Sequence, residues 1–369
     1  MVLATVLFFG TIAACAEKPQ TMIVDGKKYR METIADHLDH PWSMAFLPDG
    51  TFLVTERSGQ LLKISGDGRQ RTAISGLPEL SAEDQGGLLD ILLDPSFDAN
   101  GTLFFSYSAQ GTGGTGTEVA KARLQGSRLL HLQILFRAIP KTPASKHYGS
   151  RLLFTTDGKL LVTLGEKTLM QEAQNLQNHL GSIIRINPDG TVPEDNPFRN
   201  TRACKPEIYA YGVRNVQGIA RNPRTGDIWF HEHGPLGGDE LNILKKGANY
   251  GWPAVTYGID YSGEIISTKT TAPGIASPVL HWTPCIAPSG MTFYTGNRFP
   301  EWKGNLFVGS LVQLHLRRLV LNGNKVVRQQ ILLRSMNERI RDVRQGPDGF
   351  IYLLTDSDNG RLMRIEPAR

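Results

Sequence analysis

The chain has 369 residues, 40% of them hydrophobic and 20% charged, with a formal net charge of +5. That balance is the one expected of a globular protein. The lysines and arginines are scattered rather than gathered into a stripe, which argues against nucleic acid as a partner. The 39 glycines and 21 prolines separate short apolar runs, a spacing that favours many turns and short strands over long helices.

The chain begins MVLATVLFFGTIAACAEKPQ. Its apolar stretch, residues 2–14, is too short to cross a bilayer as a helix and reads as the core of an export signal covering residues 1–20. Ile12-Ala13-Ala14-Cys15 matches a lipoprotein cleavage box, with Cys15 as the lipidated residue, although no Lys or Arg precedes the apolar run. Cleavage elsewhere as an ordinary signal peptide is the alternative. Either reading places the mature protein in the periplasm or cell envelope. Cys204 and Cys285 remain; they are compatible with a disulfide, but their spacing does not show that they meet.

From residue 21 onward one unit recurs: a β-rich run, a turn, and a second β-rich run ending on a polar residue. In chain order the copies are SMAFLPDGTFLVTERSGQLLKIS, LLDILLDPSFDANGTLFFSYS, SRLLFTTDGKLLVTLGE, GIARNPRTGDIWFHEHG, GMTFYTGNRFPEWKGNLFVGSL and IRDVRQGPDGFIYLLTDSDNGRLMRIEP. Each supplies three to four strands that cannot bury both faces alone. Six packed radially would do so, which predicts an all-β, six-bladed β-propeller over residues 21–369. A pair of β-sandwiches is the alternative. The longest insertions between copies fall near 109–118, 166–180 and 247–280, and are expected as loops on one face.

In such a ring the residues entering the inner strands meet at the channel mouth. They are Gln85, His147, Arg214 with Asn215, Pro288 with Ser289, and Arg339 with Arg341. The segment PEIYAYGVRNVQGIARNPRTGDIWFHEHGPLGGDE adds His233, Gly234 and Pro235, then Asp239 and Glu240. Guanidinium groups grip carboxylates, an imidazole can take a proton, and a Gly-Pro turn leaves carbonyls for a hard cation. Arg339 and Arg341, at alternate positions, face one side of a strand and call for an anionic partner, which favours a ligand. The bland readings are a structural histidine at 147 and a solvated turn at 239–240.

The motifs HPWSMAFLPDG, DQGGLLDILLDPSF, HYGSRLLF, AQNLQNHLGSIIRINPDG, GVRNVQG, EHGPLGGDELN, NYGWP, PSGMTFY and RIRDVRQGPDG, in this order, span nearly the whole mature chain. Together they resemble the soluble sugar dehydrogenases that depend on pyrroloquinoline quinone (PQQ), in particular their aldose sugar dehydrogenase branch. The resemblance implies oxidation of an aldose at C1 to the lactone, with hydride passing to C5 of PQQ and a calcium ion polarising the quinone. It implies His147 as the general base, and Gln85, Arg214, Asn215, Tyr261, Arg339 and Arg341 around the cofactor. The carbonyls of Gly234 and Pro235 would hold the catalytic calcium, and Glu240 and Tyr250 a structural one. An aldose substrate and a separate electron acceptor follow, neither of which the loops specify.

Three departures from that pattern stand out. Val312 and Gln313 occupy the place where many relatives carry a cofactor-reaching lysine. Val216 replaces a proline in the Arg-Asn turn. GEKTLMQEAQN is one residue short, which leaves the role of Glu166 open. Two other functions are the alternatives: a calcium-dependent sugar-lactone hydrolase, which wants carboxylates around a channel metal, and a non-catalytic propeller that binds glycans or protein.

Overall fold

The computed structural model describes residues 20–368; the proposed export signal and Cys15 lie outside them. Six antiparallel sheets form a ring of blades. The innermost strands are Pro41–Phe46, Leu88–Leu93, Leu152–Phe154, Val216–Arg221, Pro288–Phe293 and Ile340–Gln345, opening blades 1 to 6 in that order. The six-bladed propeller expected from the repeats is the architecture found.

Alternation along the strands explains why the ring holds. In Phe52–Glu56, Phe52 and Val54 pack toward blade 6, whereas Leu53 packs toward blade 2. In Ile351–Thr355, Ile351 and Leu353 join the core shared with blade 5, and Tyr352 and Leu354 the core shared with blade 1. Successive side chains point to opposite faces of a strand, so a strand between two blades buries both faces and is apolar at most positions. That is why runs such as LLDILL and LLVT do not alternate with polar residues. The Pro-Asp-Gly turn of blade 1 needs a left-handed residue, and Gly50 supplies it with φ of 79°.

Two features were not foreseen. Each blade has four strands except the sixth, which has five: Lys27–Leu38 pairs with Gly360–Pro367, and Thr21–Val24 adds the edge. The start of the chain therefore closes the ring against its end. The region 109–118 is no loop insertion; it is the tip of a long hairpin, Thr102–Gly111 with Gly114–Gln125, so the blade extends outward in regular pairing. The other two insertions are largely irregular, with a short 3-10 turn at Met170–Gln174. Cys204 and Cys285 are both free thiols. Among the described residues no helix is long and apolar enough to cross a membrane.

Candidate active site

A cavity of about 310 Å³ opens where the inner strands begin. Its lining includes Arg57, Arg339 and Arg341, together with Gln85, Tyr148 and Asn215. Of the sequence-predicted residues, Gln85, Asn215, Arg339 and Arg341 line this space. Arg214, Gly234, Glu240 and Tyr250 line a small adjoining recess, and His233 borders both. Tyr261 lies on the rim, 69% exposed, with its ring 6.0 Å from the Arg214 guanidinium. Pro288 and Ser289 belong to the inner strand itself, and Ser289 is spent on the Ile340 carbonyl at 2.6 Å.

His147 is not among the lining residues; it directly precedes two that are, Tyr148 and Gly149, and has a left-handed backbone, φ 55°. Such strain in a non-glycine residue persists only where its surroundings enforce it. Gln85 Oε1 accepts the His147 amide at 3.0 Å, and Asn215 Oδ1 accepts the Gly149 amide at 3.0 Å. Gly165 lies so close that a Cβ there would meet the His147 carbonyl at 2.2 Å. The histidine turn is thus clamped by two residues first picked out as cofactor contacts.

Glu166 settles the tautomer. Its carboxylate lies 2.7 Å from His147 Nδ1 and also accepts the Thr168 amide at 2.8 Å. A carboxylate can only accept, so Nδ1 carries the hydrogen and the lone pair falls on Nε2, which makes no hydrogen bond to protein. Burial, the largest influence, lowers the His147 pKa; Glu166 opposes it, while Arg214 and Lys167 add to it. The imidazole is therefore neutral at pH 7 and able to accept a proton. His233 also faces the cavity, but its Nε2 is turned onto the Pro288 carbonyl at 2.7 Å and no carboxylate supports it.

The arginine pair does not lack an anion inside the protein, and this corrects the expectation drawn from its spacing. Asp356 Oδ2 accepts from Arg339 at 2.9 Å and from Arg341 at 2.7 Å. Burial would raise Asp356, but the two guanidinium groups outweigh it and hold its carboxyl far below the usual range. Capacity for another anion remains. Arg341 Nε is buried without a hydrogen bond, and the Arg57 side chain has no ion pair in the described structure. Val312 lines the same cavity, 61% exposed. Gln313 turns away and donates to the Cys285 carbonyl at 3.1 Å.

The carbonyl of Gly234 accepts from Arg214 at 2.9 Å, and that of Pro235 from the Cys285 thiol at 3.3 Å. Each keeps one lone pair, a hard ligand for a cation. Asp239 stands nearby, but its oxygens hold the amides of Gly234, Ile286 and Ala287. Negative charge beside a cation here would have to come largely from a ligand. In the recess, Glu240 faces Glu232 across paired strands. Burial pushes Glu240 up to about 7, and burial with the Glu240 charge pushes Glu232 well above its ordinary value. Two buried carboxylates that resist ionising together suit a divalent cation. The Tyr250 hydroxyl is taken by the Ile243 carbonyl at 2.7 Å and the Lys245 amide at 2.8 Å, so it offers no side-chain oxygen to that cation. Glu232, hidden in the apolar run IWFHE, was missed, as were Arg57 and Asp356; Glu166, whose role the sequence left open, is the partner of His147.

The model of the glucose/sorbosone dehydrogenase family matches residues 38–364. The aldose sugar dehydrogenase of Escherichia coli strain K12 is 41% identical over 343 residues, covering 91% of this chain and 92% of the relative. A solved structure of the soluble E. coli enzyme in its apo form superposes with a TM-score of 0.89 at 40% identity, covering 92% of this chain and all of that one. A PQQ-bound aldose sugar dehydrogenase from Streptomyces coelicolor superposes with a TM-score of 0.75 at 26% identity, covering 95% of this chain and 99% of that one. The matched span contains the inner strand of every blade and every residue of the cavity, and the chain belongs to the glucose/sorbosone dehydrogenase family.

Proposed function

We propose that this chain oxidises aldose sugars at C1 to the lactone with PQQ as the electron sink. The observation that carries the reading is the His147–Glu166 pair, adjoining the lining residues Tyr148 and Gly149 of a cavity that three arginines also line. PQQ carries three carboxylates, and an open guanidinium on Arg57 with an open donor on Arg341 fits that charge. When bound, the quinone supplies the acceptor for the hydride leaving C1.

The protein's part is positional and protolytic. His147 Nε2 takes the proton of the C1 hydroxyl, and Glu166 stabilises the imidazolium that forms. Gln85 and Asn215 hold the histidine turn in place. Arg339 and Arg341, steadied by Asp356, orient the anionic end of the cofactor, with Arg214 and Tyr261 bordering the opposite end. A calcium ion on the Gly234 and Pro235 carbonyls would add a Lewis acid, and a second cation between Glu232 and Glu240 would brace blade 4. The lactone-hydrolase reading is weaker because the channel carboxylates Asp90 and Asp342 are taken by Arg151 and Arg344. Export to the periplasm, with Cys15 as a lipid anchor, would place the site where sugars enter the cell envelope; the electron acceptor there is left unnamed.

Apoprotein mixed with PQQ, calcium, glucose and an artificial acceptor should reduce the acceptor only when both additions are present. His147→Ala should lose roughly 10²–10⁴-fold in turnover while still binding PQQ. Normal turnover in that variant would remove the proposed base.

A further inference from the structure

Lys167 follows Glu166 in the loop beneath the active site, and nothing so far accounts for it. It is only 3% exposed, and its Nζ has no hydrogen-bond partner among the described residues. The ammonium lies 3.3 Å from the centroid of the Tyr148 ring. That ring packs with Trp42 and Leu89, lines the cavity, and is pinned by its hydroxyl to Thr115 at 2.6 Å. Both Lys167 and Thr168 are left-handed, with φ of 55° and 62°, so the loop adopts two costly conformations in succession where it carries the lysine inward.

A buried ammonium without a hydrogen-bonded partner is expensive, and an aromatic face returns only part of the cost. Burial pulls Lys167 down to about 7, against the opposing charges of Glu166 and Asp84. A structural role would be served better by an apolar side chain of the same length. The location suggests an electrostatic one. The charged groups acting on His147 are Glu166, which favours the imidazolium, and Arg214 and Lys167, which oppose it. Of these, only Lys167 is an ammonium whose charge is easily lost near neutrality.

Resting on His147 as the base, we propose that Lys167 is a positioning residue for it: its ammonium, held against Tyr148, shares the field of the Glu166 carboxylate and keeps the imidazole neutral and receptive. The proton balance is unchanged, since the C1 hydroxyl proton goes to Nε2 and the Nδ1 proton stays between His147 and Glu166. The effect has a direction in pH. Below about 7 Lys167 is charged and suppresses protonation of His147; above that its influence fades, but by then the imidazole is neutral anyway. The lysine thus extends the working range of the base toward acid.

The test reads the His147 ring directly, by NMR titration of apoprotein labelled in histidine, with the signal assigned by its loss in His147→Gln. In Lys167→Met the titration midpoint should move to higher pH, and in Lys167→Arg it should not rise. In the loaded enzyme, kcat/KM of Lys167→Met at pH 6, relative to its own value at pH 8, should fall below the wild-type ratio, by at most roughly threefold, the ceiling that a half-unit displacement of the acid limb sets. If Lys167→Met fails to fold, Lys167→Gln serves the same measurement. An unmoved midpoint in the neutral variant overturns the proposal, and so does an equal rise in Lys167→Arg, which would make packing the cause. Because the titration needs no cofactor, it stands even if reconstitution yields no sugar oxidation, a result that would overturn the proposed function instead.

Discussion

The channel holds two arginine–aspartate clusters, one in its throat and one at its mouth, and they are built to different rules. In the throat, Arg151 and Arg344 meet Asp90 and Asp342, with contacts of 2.7 to 3.0 Å among the closest pairs. Two cations face two anions, Arg151 also stacks on Trp42 at 4.1 Å, and Asp90 accepts the Leu152 amide at 2.8 Å. At the mouth, Arg339 and Arg341 share one aspartate, Asp356, and Arg57 has no ion pair among the described residues. Among the described residues that line the cavity the one carboxylate is Asp84, which stands beside Gln85 and accepts from Ser145 at 3.2 Å. Balanced charge marks the part that ties blades together, and surplus positive charge marks the part that waits for a ligand.

The largest expected effect breaks the throat. Asp342→Asn keeps the shape but leaves Arg151 and Arg344 with half their counter-charge in a dry channel. Removing one partner of a buried pair costs about 3–5 kcal/mol. Chemical denaturation should show that loss, while any folded fraction binds PQQ with near wild-type affinity. A stable Asp342→Asn protein that binds PQQ poorly would move the throat into the binding site and erase the distinction.

The mouth should answer in the opposite way. Arg339 has a side chain 44% exposed, so its pairing with Asp356 contributes little to stability, about 0–1 kcal/mol. Its value to a bound carboxylate is that of a charge-assisted hydrogen bond, about 1.5–3 kcal/mol. Arg339→Ala should therefore raise the PQQ dissociation constant roughly 10- to 100-fold with a nearly unchanged denaturation midpoint. Fluorescence quenching of Trp42, which lines the cavity, would follow the binding. Unfolding without an affinity change would make Arg339 a structural residue like those below it.

How far these clusters were legible in the sequence depends on distance along the chain. The blades were readable because both faces of their strands are apolar and the turns repeat. The closing strand Lys27–Leu38 was not, since the partner that ties it into the blade lies more than 320 residues away and its neighbour in sequence, Thr21–Val24, is only a four-residue edge strand. His147 stood out as a polar residue entering an inner strand. Glu166 did not, because it reaches His147 from a loop after the next strand. Asp356 sits in TDSDNG and reads as a turn, and Lys167 reads as one more solvated lysine. The arginine pair was recognised, but its internal anion was not: one carboxylate of many becomes special only when the ring places it between two guanidinium groups. Glu232 was lost for the converse reason, a charge embedded in a run of strand formers.

The smallest effect sharpens the comparison at Val312. Its backbone is anchored, with its amide donating to Ile286 at 3.2 Å, and the preceding carbonyl, Leu311, accepts from Arg339 at 3.1 Å. A side chain at 312 therefore starts beside the arginine wall and points into open cavity. Val312→Lys would add a fourth cation to a region that already has a surplus. Without ligand, the new ammonium gains nothing and is mildly repelled, so the apoprotein should be no more stable than wild type. With a tri-carboxylate bound, the same charge finds a partner in a solvated setting, worth about 0.5–1 kcal/mol. The PQQ dissociation constant should fall roughly two- to fivefold, and the gain should shrink as salt is raised across the range where the Debye length drops below about 8 Å. Tighter binding would show that the mouth still lacks positive charge for its ligand. Unchanged or weaker binding would mean that Arg57, Arg339 and Arg341 already satisfy it, and that valine at this position costs the cofactor site nothing.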